Sequence, residues 1–162
     1  MEALLSLLLL VLTSVKASQW PATIEGSLLS QEHSFGFAFE GVDADGRLGF
    51  SLCGIGEFDG LPGSDIAISA PLNNGNTGSV FIISGRNRTN WPSTLPSPIS
   101  VGSILNDDDH LNGLVINGMI DAHFNFLGFP ASPIGDWNHD GFDDLLIESL
   151  ATDNNQGCAW LV

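Results

Sequence analysis

The sequence predicts an all-β fold on three observations. Residues 49–83 align without a gap onto residues 128–162, so the 162-residue chain repeats itself. Its apolar runs are short and are separated by Gly, Asn, Asp and Pro clusters that cannot sustain a helix. No helical period appears beyond the first residues.

The amino-terminal stretch stands apart from the repeat. Ala3 to Val15 is an apolar run too short to span a bilayer, and Val15-Lys16-Ala17 after it reads as a small-residue cleavage site before Ser18. Residues 1–17 are expected to form a secretory signal peptide. An uncleaved short membrane anchor is the alternative, because no Lys or Arg precedes the run.

The first repeat is expected over residues 18–90 and the second over 91–162. Trp20-Pro21-Ala22-Thr23 recurs as Trp91-Pro92-Ser93-Thr94, and Gly36-Phe37-Ala38-Phe39-Glu40-Gly41 recurs as Gly113-Leu114-Val115-Ile116-Asn117-Gly118. Ile55-Gly56-Glu57 then matches Ile134-Gly135-Asp136, Asp65-Ile66-Ala67-Ile68 matches Asp144-Leu145-Leu146-Ile147, and Gly78 matches Gly157. Insertions around Asp107-Asp108-Asp109 and before Gly128 belong in surface loops, where length changes are tolerated. The candidate strands of the first repeat are Gly36 to Phe39, Leu48 to Cys53, Asp65 to Ser69 and Ser79 to Ser84. Runs such as Val80-Phe81-Ile82-Ile83 are apolar throughout, which fits sheets buried on both faces. One four-stranded set per repeat points to the blades of a β-propeller.

The most informative local motif is Gly135-Asp136-Trp137-Asn138-His139-Asp140-Gly141-Phe142-Asp143-Asp144. It places side-chain oxygens at alternating loop positions, with Gly141 permitting a sharp turn, as a Ca2+ loop requires. Asp136, Asn138, Asp140 and Asp144 are the expected side-chain ligands, and the Phe142 carbonyl the expected backbone ligand. An EF-hand is excluded, since Ile147 stands where its bidentate Glu would be and the flanks read as strands.

Leu-Gly-Phe-Ser from Leu48, Gly-Glu-Phe-Asp-Gly from Gly56, Asp-Ile-Ala-Ile-Ser-Ala-Pro from Asp65 and the Gly-led strand from Gly78 together resemble the FG-GAP repeat of integrin alpha-subunit propellers. The resemblance covers nearly all of the chain after residue 17. Leu48-Gly49 and Leu127-Gly128 stand in place of the family's Phe-Gly. It implies that loop 136–144 lies between adjacent strands of a blade and binds Ca2+, while loops on the opposite propeller face recognise protein ligands. It also implies lesser metal candidates in the first repeat, Glu57, Asp59 and Asp65. There Leu61 replaces Asp140 and Ser64 replaces Asp143, so a turn held by Gly60, Pro62 and Gly63 is expected, with at most low Ca2+ affinity.

Charge narrows the partners. With 19 acidic against 4 basic residues and a net charge of −15, the chain repels phosphate backbones and anionic lipid, so no nucleic-acid partner is expected. Asn87-Arg88-Thr89 is a glycosylation acceptor in the link between the repeats. Cys53 and Cys158 are not at equivalent positions and are expected as buried thiols rather than a disulfide. The four histidines, His33, His110, His123 and His139, form no ligand spacing, and Trp20, Trp91, Trp137 and Trp160 are expected to pack between strands and blades.

No catalytic residues are expected: Cys53 interrupts the one Gly-x-Ser run that could have made a nucleophile elbow, and neither a phosphate loop nor a His-Glu-x-x-His pair is present. The expected function is recognition of an extracellular protein ligand, or cell adhesion, by a secreted or cell-surface Ca2+-binding propeller segment. The alternative is the non-catalytic propeller part of a secreted, phospholipase-type hydrolase. Two blades leave open sheet edges, so the chain is expected either to be part of a larger propeller or to complete one by self-association. Any membrane attachment is expected only through a part outside this chain or an uncleaved amino-terminal segment.

Overall fold

Short β-branched and aromatic runs between glycine turns form three sheets. The computed structural model describes residues 38–86, 98–106, 112–119, 125–151 and 156–162, all within the compact unit Phe37–Val162. The expected signal peptide, Trp20, Trp91, the acceptor Asn87, the Asp107-Asp108-Asp109 insertion, and His33, His110 and His123 lie outside the described residues. Among the described residues, no helix is long and apolar enough to cross a membrane.

In chain order the elements are β1 (Phe39–Glu40), β2 (Leu52–Gly56), β3 (Asp65–Ala70), a helical turn α1 (Asn73–Asn76), β4 (Ser79–Ile83), β5 (Ile99–Ser100), a 3-10 segment (Val101–Asn106), β6 (Gly113–Asn117), β7 (Ala131–Gly135), β8 (Asp144–Ser149) and β9 (Cys158–Leu161). The all-β class is as expected. The strand expected over Leu48 to Cys53 starts only at Leu52, because Gly49 adopts φ 88° and Phe50 N closes a turn on Arg47 O at 3.2 Å. Of the strand expected over Gly36 to Phe39, Gly36 and Phe37 lie outside the described residues, and Phe39 falls in the short β1, which pairs in parallel with β5.

The first sheet has the order β2-β3-β4-β6 and the second β7-β8-β9, both antiparallel. Strand β6 belongs to the second repeat, yet it completes the sheet of the first. Sheet boundaries are therefore offset from the sequence repeat, and the two repeats are tied by a main-chain ladder as well as by packing.

The sequence repeat is a structural one, register for register. Leu52↔Ile68, Cys53↔Ala67, Gly54↔Ile66 and Gly56↔Asp65 correspond to Ala131↔Ile147, Ser132↔Leu146, Pro133↔Leu145 and Gly135↔Asp144, with the irregularity at the same step. The backbone agrees at the turns, where Gly49 and Gly128 have φ 88° and 89° and Gly56 and Gly135 have φ 71° and 70°. Gly49 N donates to Ser69 O at 2.9 Å and Gly128 N to Glu148 O at 2.9 Å, closing the same turn in both repeats.

The main core lies between the two sheets. Ile55, Ala67, Val80 and Ile82 of the first pack with Leu127, Ala131, Leu145 and Ile147, and Cys53, Phe58, Ile116 and Trp160 lean on them. Each fully buried Ile or Leu here contributes about 1.5–3 kcal/mol. The other face of the first sheet is covered by Phe39, Leu48, Ile99, Val101 and Ile104. All five residues of β4 are buried, matching its continuous apolar run. Trp160 packs as expected, but Trp137 does not: its side chain is 65 % exposed, because its loop projects beyond the sheet.

Gly78 and Gly157 test the difference between backbone conformation and close approach. Both have positive φ, 86° and 76°, but a Cβ on Gly78 would overlap the Leu127 backbone, whereas on Gly157 the nearest atom is Ser149 O at 3.2 Å. Gly157→Ala is expected to cost about 1–3 kcal/mol from backbone strain, and Gly78→Ala more than about 3 kcal/mol because the steric overlap adds to it. Urea unfolding of the two variants measures the difference.

Candidate functional site

The loop from Gly135 to Asp144 joins β7 to β8 and is folded by its own carboxylates. Asp144, at the first position of β8, is 6 % exposed, and its Oδ2 accepts from Trp137 N at 2.7 Å and Asn138 N at 3.3 Å. Asp136 accepts from Asp140 N at 3.0 Å and Gly141 N at 3.1 Å, through one oxygen each. Asn138 Oδ1 accepts from Asp140 N at 2.8 Å, and Asp140 Oδ1 from Phe142 N at 2.9 Å. Short side chains reaching a backbone N–H two residues on are the Asx turns that let a polar loop fold tightly. Gly141 and His139 take positive φ, 96° and 63°, and His139 is exposed.

Asp136, Asn138, Asp140 and Asp144 are thus brought into one hydrogen-bonded loop. Asn138 Nδ2 donates to Asp140 Oδ2 at 2.9 Å and to Asp144 Oδ1 at 3.5 Å, so two carboxylate oxygens converge on one electropositive group. Among the described residues, the partners of the three carboxylates are N–H groups of the loop. The donor set is oxygen throughout and suits a hard cation, which could take the place of the Asn138 amide protons between Asp140 and Asp144. Among the described residues, no three His, Cys, Asp or Glu side chains form a group that could by themselves hold a metal ion.

The first-repeat loop has the same skeleton with different closure. Asp65 is fully buried and accepts from Phe58 N at 2.9 Å and Asp59 N at 3.2 Å, as Asp144 does one repeat later. Its second oxygen accepts from Gly85 N at 2.6 Å. Asp59 Oδ1 accepts from Leu61 N at 2.8 Å, and its other oxygen accepts from the Ser84 hydroxyl. Gly60 and Gly63 take φ 79° and 138°, in keeping with the turn expected there, and Leu61 is exposed. The Glu57 Oε1 atom is buried with no hydrogen-bond partner among the described residues.

Asp143 was not among the expected site residues, yet it joins the two loops. Its Oδ2 accepts from Glu57 N at 2.8 Å, and its own N donates to Glu57 O at 2.7 Å. A Cβ on Gly56 would overlap the Asp143 carboxylate, so only glycine fits beneath it. The Phe142 ring lies 3.2 Å from where a Gly60 Cβ would be. No local motif could reveal this bridge, whose partners are 86 residues apart; the one sequence trace is that Asp143 replaces Ser64 of the first repeat.

Away from the loops, Cys53 and Cys158 are free and half-buried. Burial pushes the Cys53 thiol above its ordinary pKa, and its sulfur lies 3.7 Å from Ala131 O of the second sheet. No protein-family model matches the chain, and no curated protein matches it.

Removing the bridge is expected to loosen the pairing of the loops without unfolding either sheet. Asp143→Ala should cost about 1–3 kcal/mol, the penalty for leaving a partly buried N–H without its acceptor, and Asp143→Asn, which keeps an acceptor oxygen, should cost less. Chemical denaturation gives the stability, and hydrogen exchange at the Glu57 amide should accelerate in Asp143→Ala.

Proposed function

We propose that this chain is a secreted or cell-surface segment of FG-GAP-type β-propeller blades, stabilised by Ca2+ and used for extracellular protein recognition or adhesion. The observation that carries the reading is loop 136–144, in which four oxygen-bearing side chains are gathered between two antiparallel strands. Asp136, Asn138, Asp140 and Asp144 would hold the ion by side-chain oxygens, and Phe142 by its carbonyl. The ion's role is structural: it would neutralise carboxylates crowded into one turn and so hold β7 and β8 in register. Asp143 then carries the order of that loop to Glu57 in the first repeat.

The matching registers of the two repeats support the blade reading, since each repeat builds the same three-stranded antiparallel core. Glu57, Asp59 and Asp65 remain lesser candidates: most of their oxygens are taken by main-chain or hydroxyl donors, and Glu57 Oε1 is the one a cation could still complete. Secretion fits the ion, because extracellular Ca2+ fills even sites with Kd of about 10⁻⁴–10⁻³ M.

Calorimetric titration of the full chain with Ca2+, alongside Asp140→Ala, tests the proposal. One site is expected, lost in the variant, with a rise in Tm in Ca2+ relative to chelator that the variant lacks. A folded chain that takes up no Ca2+ and melts identically in both buffers would refute the metal reading.

A further inference from the structure

An asparagine followed by glycine can react without an enzyme, because the glycine N–H has no side chain beside it and can reach the asparagine side-chain carbonyl carbon. The chain carries three such pairs, Asn74-Gly75, Asn112-Gly113 and Asn117-Gly118. All three asparagines are exposed, so exposure does not choose among them. The main chain does. Gly118 N donates to Gly78 O at 2.9 Å, which occupies the nucleophile of its pair. Gly113 lies in β6 opposite Ile83, with Asn112 O held by Ser84 N at 3.0 Å and the Ile82 carbonyl oxygen where a Gly113 Cβ would stand. Both of these pairs are locked into the ladder between β4 and β6.

Asn74-Gly75 sits at the tip of α1 without that restraint. The two residues take φ/ψ of 52°/45° and 68°/37°, the type I′ geometry that an Asn-Gly pair adopts most readily. Among the described residues Gly75 N donates no hydrogen bond, and nothing beyond the turn itself lies within 4 Å of where a Gly75 Cβ would stand, so the nucleophile is open to solvent. The Asn74 carbonyl accepts a long bond from the Thr77 hydroxyl, at 3.3 Å. The Asn74 side-chain amide is the turn's link to β6. Its Nδ2 donates to Ser79 Oγ at 3.2 Å and to Asn117 Oδ1 at 3.1 Å, and Ser79 Oγ donates in turn to Asn117 Oδ1 at 2.7 Å. Ser79 is fully buried, so this one amide fastens a turn of the first repeat to a strand of the second.

We propose that Asn74 is a site of spontaneous deamidation, and that the reaction cuts this link between the repeats. Gly75 N attacks Asn74 Cγ and forms a bond to it; the Cγ–Nδ2 bond breaks, and ammonia leaves with the proton given up by Gly75 N. Water then opens the succinimide ring at Cγ to give aspartate, or at the Asn74 main-chain carbonyl carbon to give isoaspartate, with no oxidation or reduction in either step. The two side-chain hydrogen bonds must open before Cγ can meet Gly75 N, so the rate in the folded chain follows the local opening of this turn. Each product is a carboxylate with no proton to donate, set beside the Ser79 and Asn117 oxygens in a chain that already carries −15. Isoaspartate also lengthens the main chain at the tip of the turn. The proposal stands on the geometry of this turn and not on the metal reading, and it survives if loop 136–144 binds no ion.

Ageing the full chain in mildly alkaline buffer, with the same chain unfolded in urea beside it, tests the proposal. Peptide mapping by mass spectrometry reads the amide-to-acid exchange at each asparagine, and electron-transfer fragmentation separates isoaspartate from aspartate. In urea all three pairs are expected to react, whereas in the folded chain Asn74 should react at least about tenfold faster than Asn112 or Asn117. Asn74→Asp carries one product from the start, and aspartate tolerates the left-handed position. Its circular dichroism should match the parent, while hydrogen exchange at the Gly118 amide, next to Asn117, should run about threefold faster or more. Asn74 protected in the folded chain as strongly as the other two, faster reaction at either of those, or unchanged exchange at Gly118 in Asn74→Asp would each overturn the proposal.

Discussion

Asp65 and Asp144 each place a buried carboxylate at the first residue of a strand, beneath the loop that precedes it, and the remaining order of each repeat depends on that contact. The carboxylate takes two successive N–H groups of the incoming loop, which would otherwise be left without partners near the sheet. A buried charge of this kind is tolerable only when its acceptor capacity is used by donors, and here main-chain N–H groups provide them. Once the loop is anchored, the pairs Gly56↔Asp65 and Gly135↔Asp144 are set, and the strands leaving them fall into the same register in both repeats. The glycines at Gly56 and Gly135 supply the left-handed turn that brings the chain into the loop.

From that anchor the repeats diverge by what closes the rest of the loop. In the first, Gly85 N and the Ser84 hydroxyl at the end of β4 complete Asp65 and Asp59, so neutral donors do the closing. In the second, where Asn138 stands in place of Asp59, an oxygen of Asp144 and one of Asp140 meet on the Asn138 amide, which offers only partial positive charge. Leu61 against Asp140 is the substitution that separates the two. An apolar side chain there leaves a turn content with hydrogen bonds, and a carboxylate there adds a charge that the loop's N–H donors stabilise only in part. The same logic makes Asp143 a joint between repeats: it lies between two loop residues and fastens them to Glu57 through a two-bond main-chain and side-chain clasp.

Packing between the sheets obeys the repeat only in part. Ile55, Val80 and Ile82 are buried against the second sheet, whereas their counterparts Ile134, Ala159 and Leu161 face outward. The chemistry of that face is kept although its cover differs. Strand β6 accounts for much of the asymmetry, since it gives the first sheet a fourth strand where the second has three among the described residues.

The sequence by itself determined the all-β class, the repeat and its register, the turn glycines and the content of loop 136–144, because each is written in neighbouring residues: apolar runs of strand length, left-handed positions that only small residues fill, and alternating oxygens. It did not determine that the strand at Leu48 would be delayed to Leu52, that Trp137 would stand in solvent, that β6 would complete the sheet of the preceding repeat, or that Asp143 would clasp Glu57. Those outcomes rest on pairs of groups far apart in the chain. Their energies depend on which surfaces meet, and a side chain or strand edge carries no local mark of its distant partner, so only the tertiary structure could decide them.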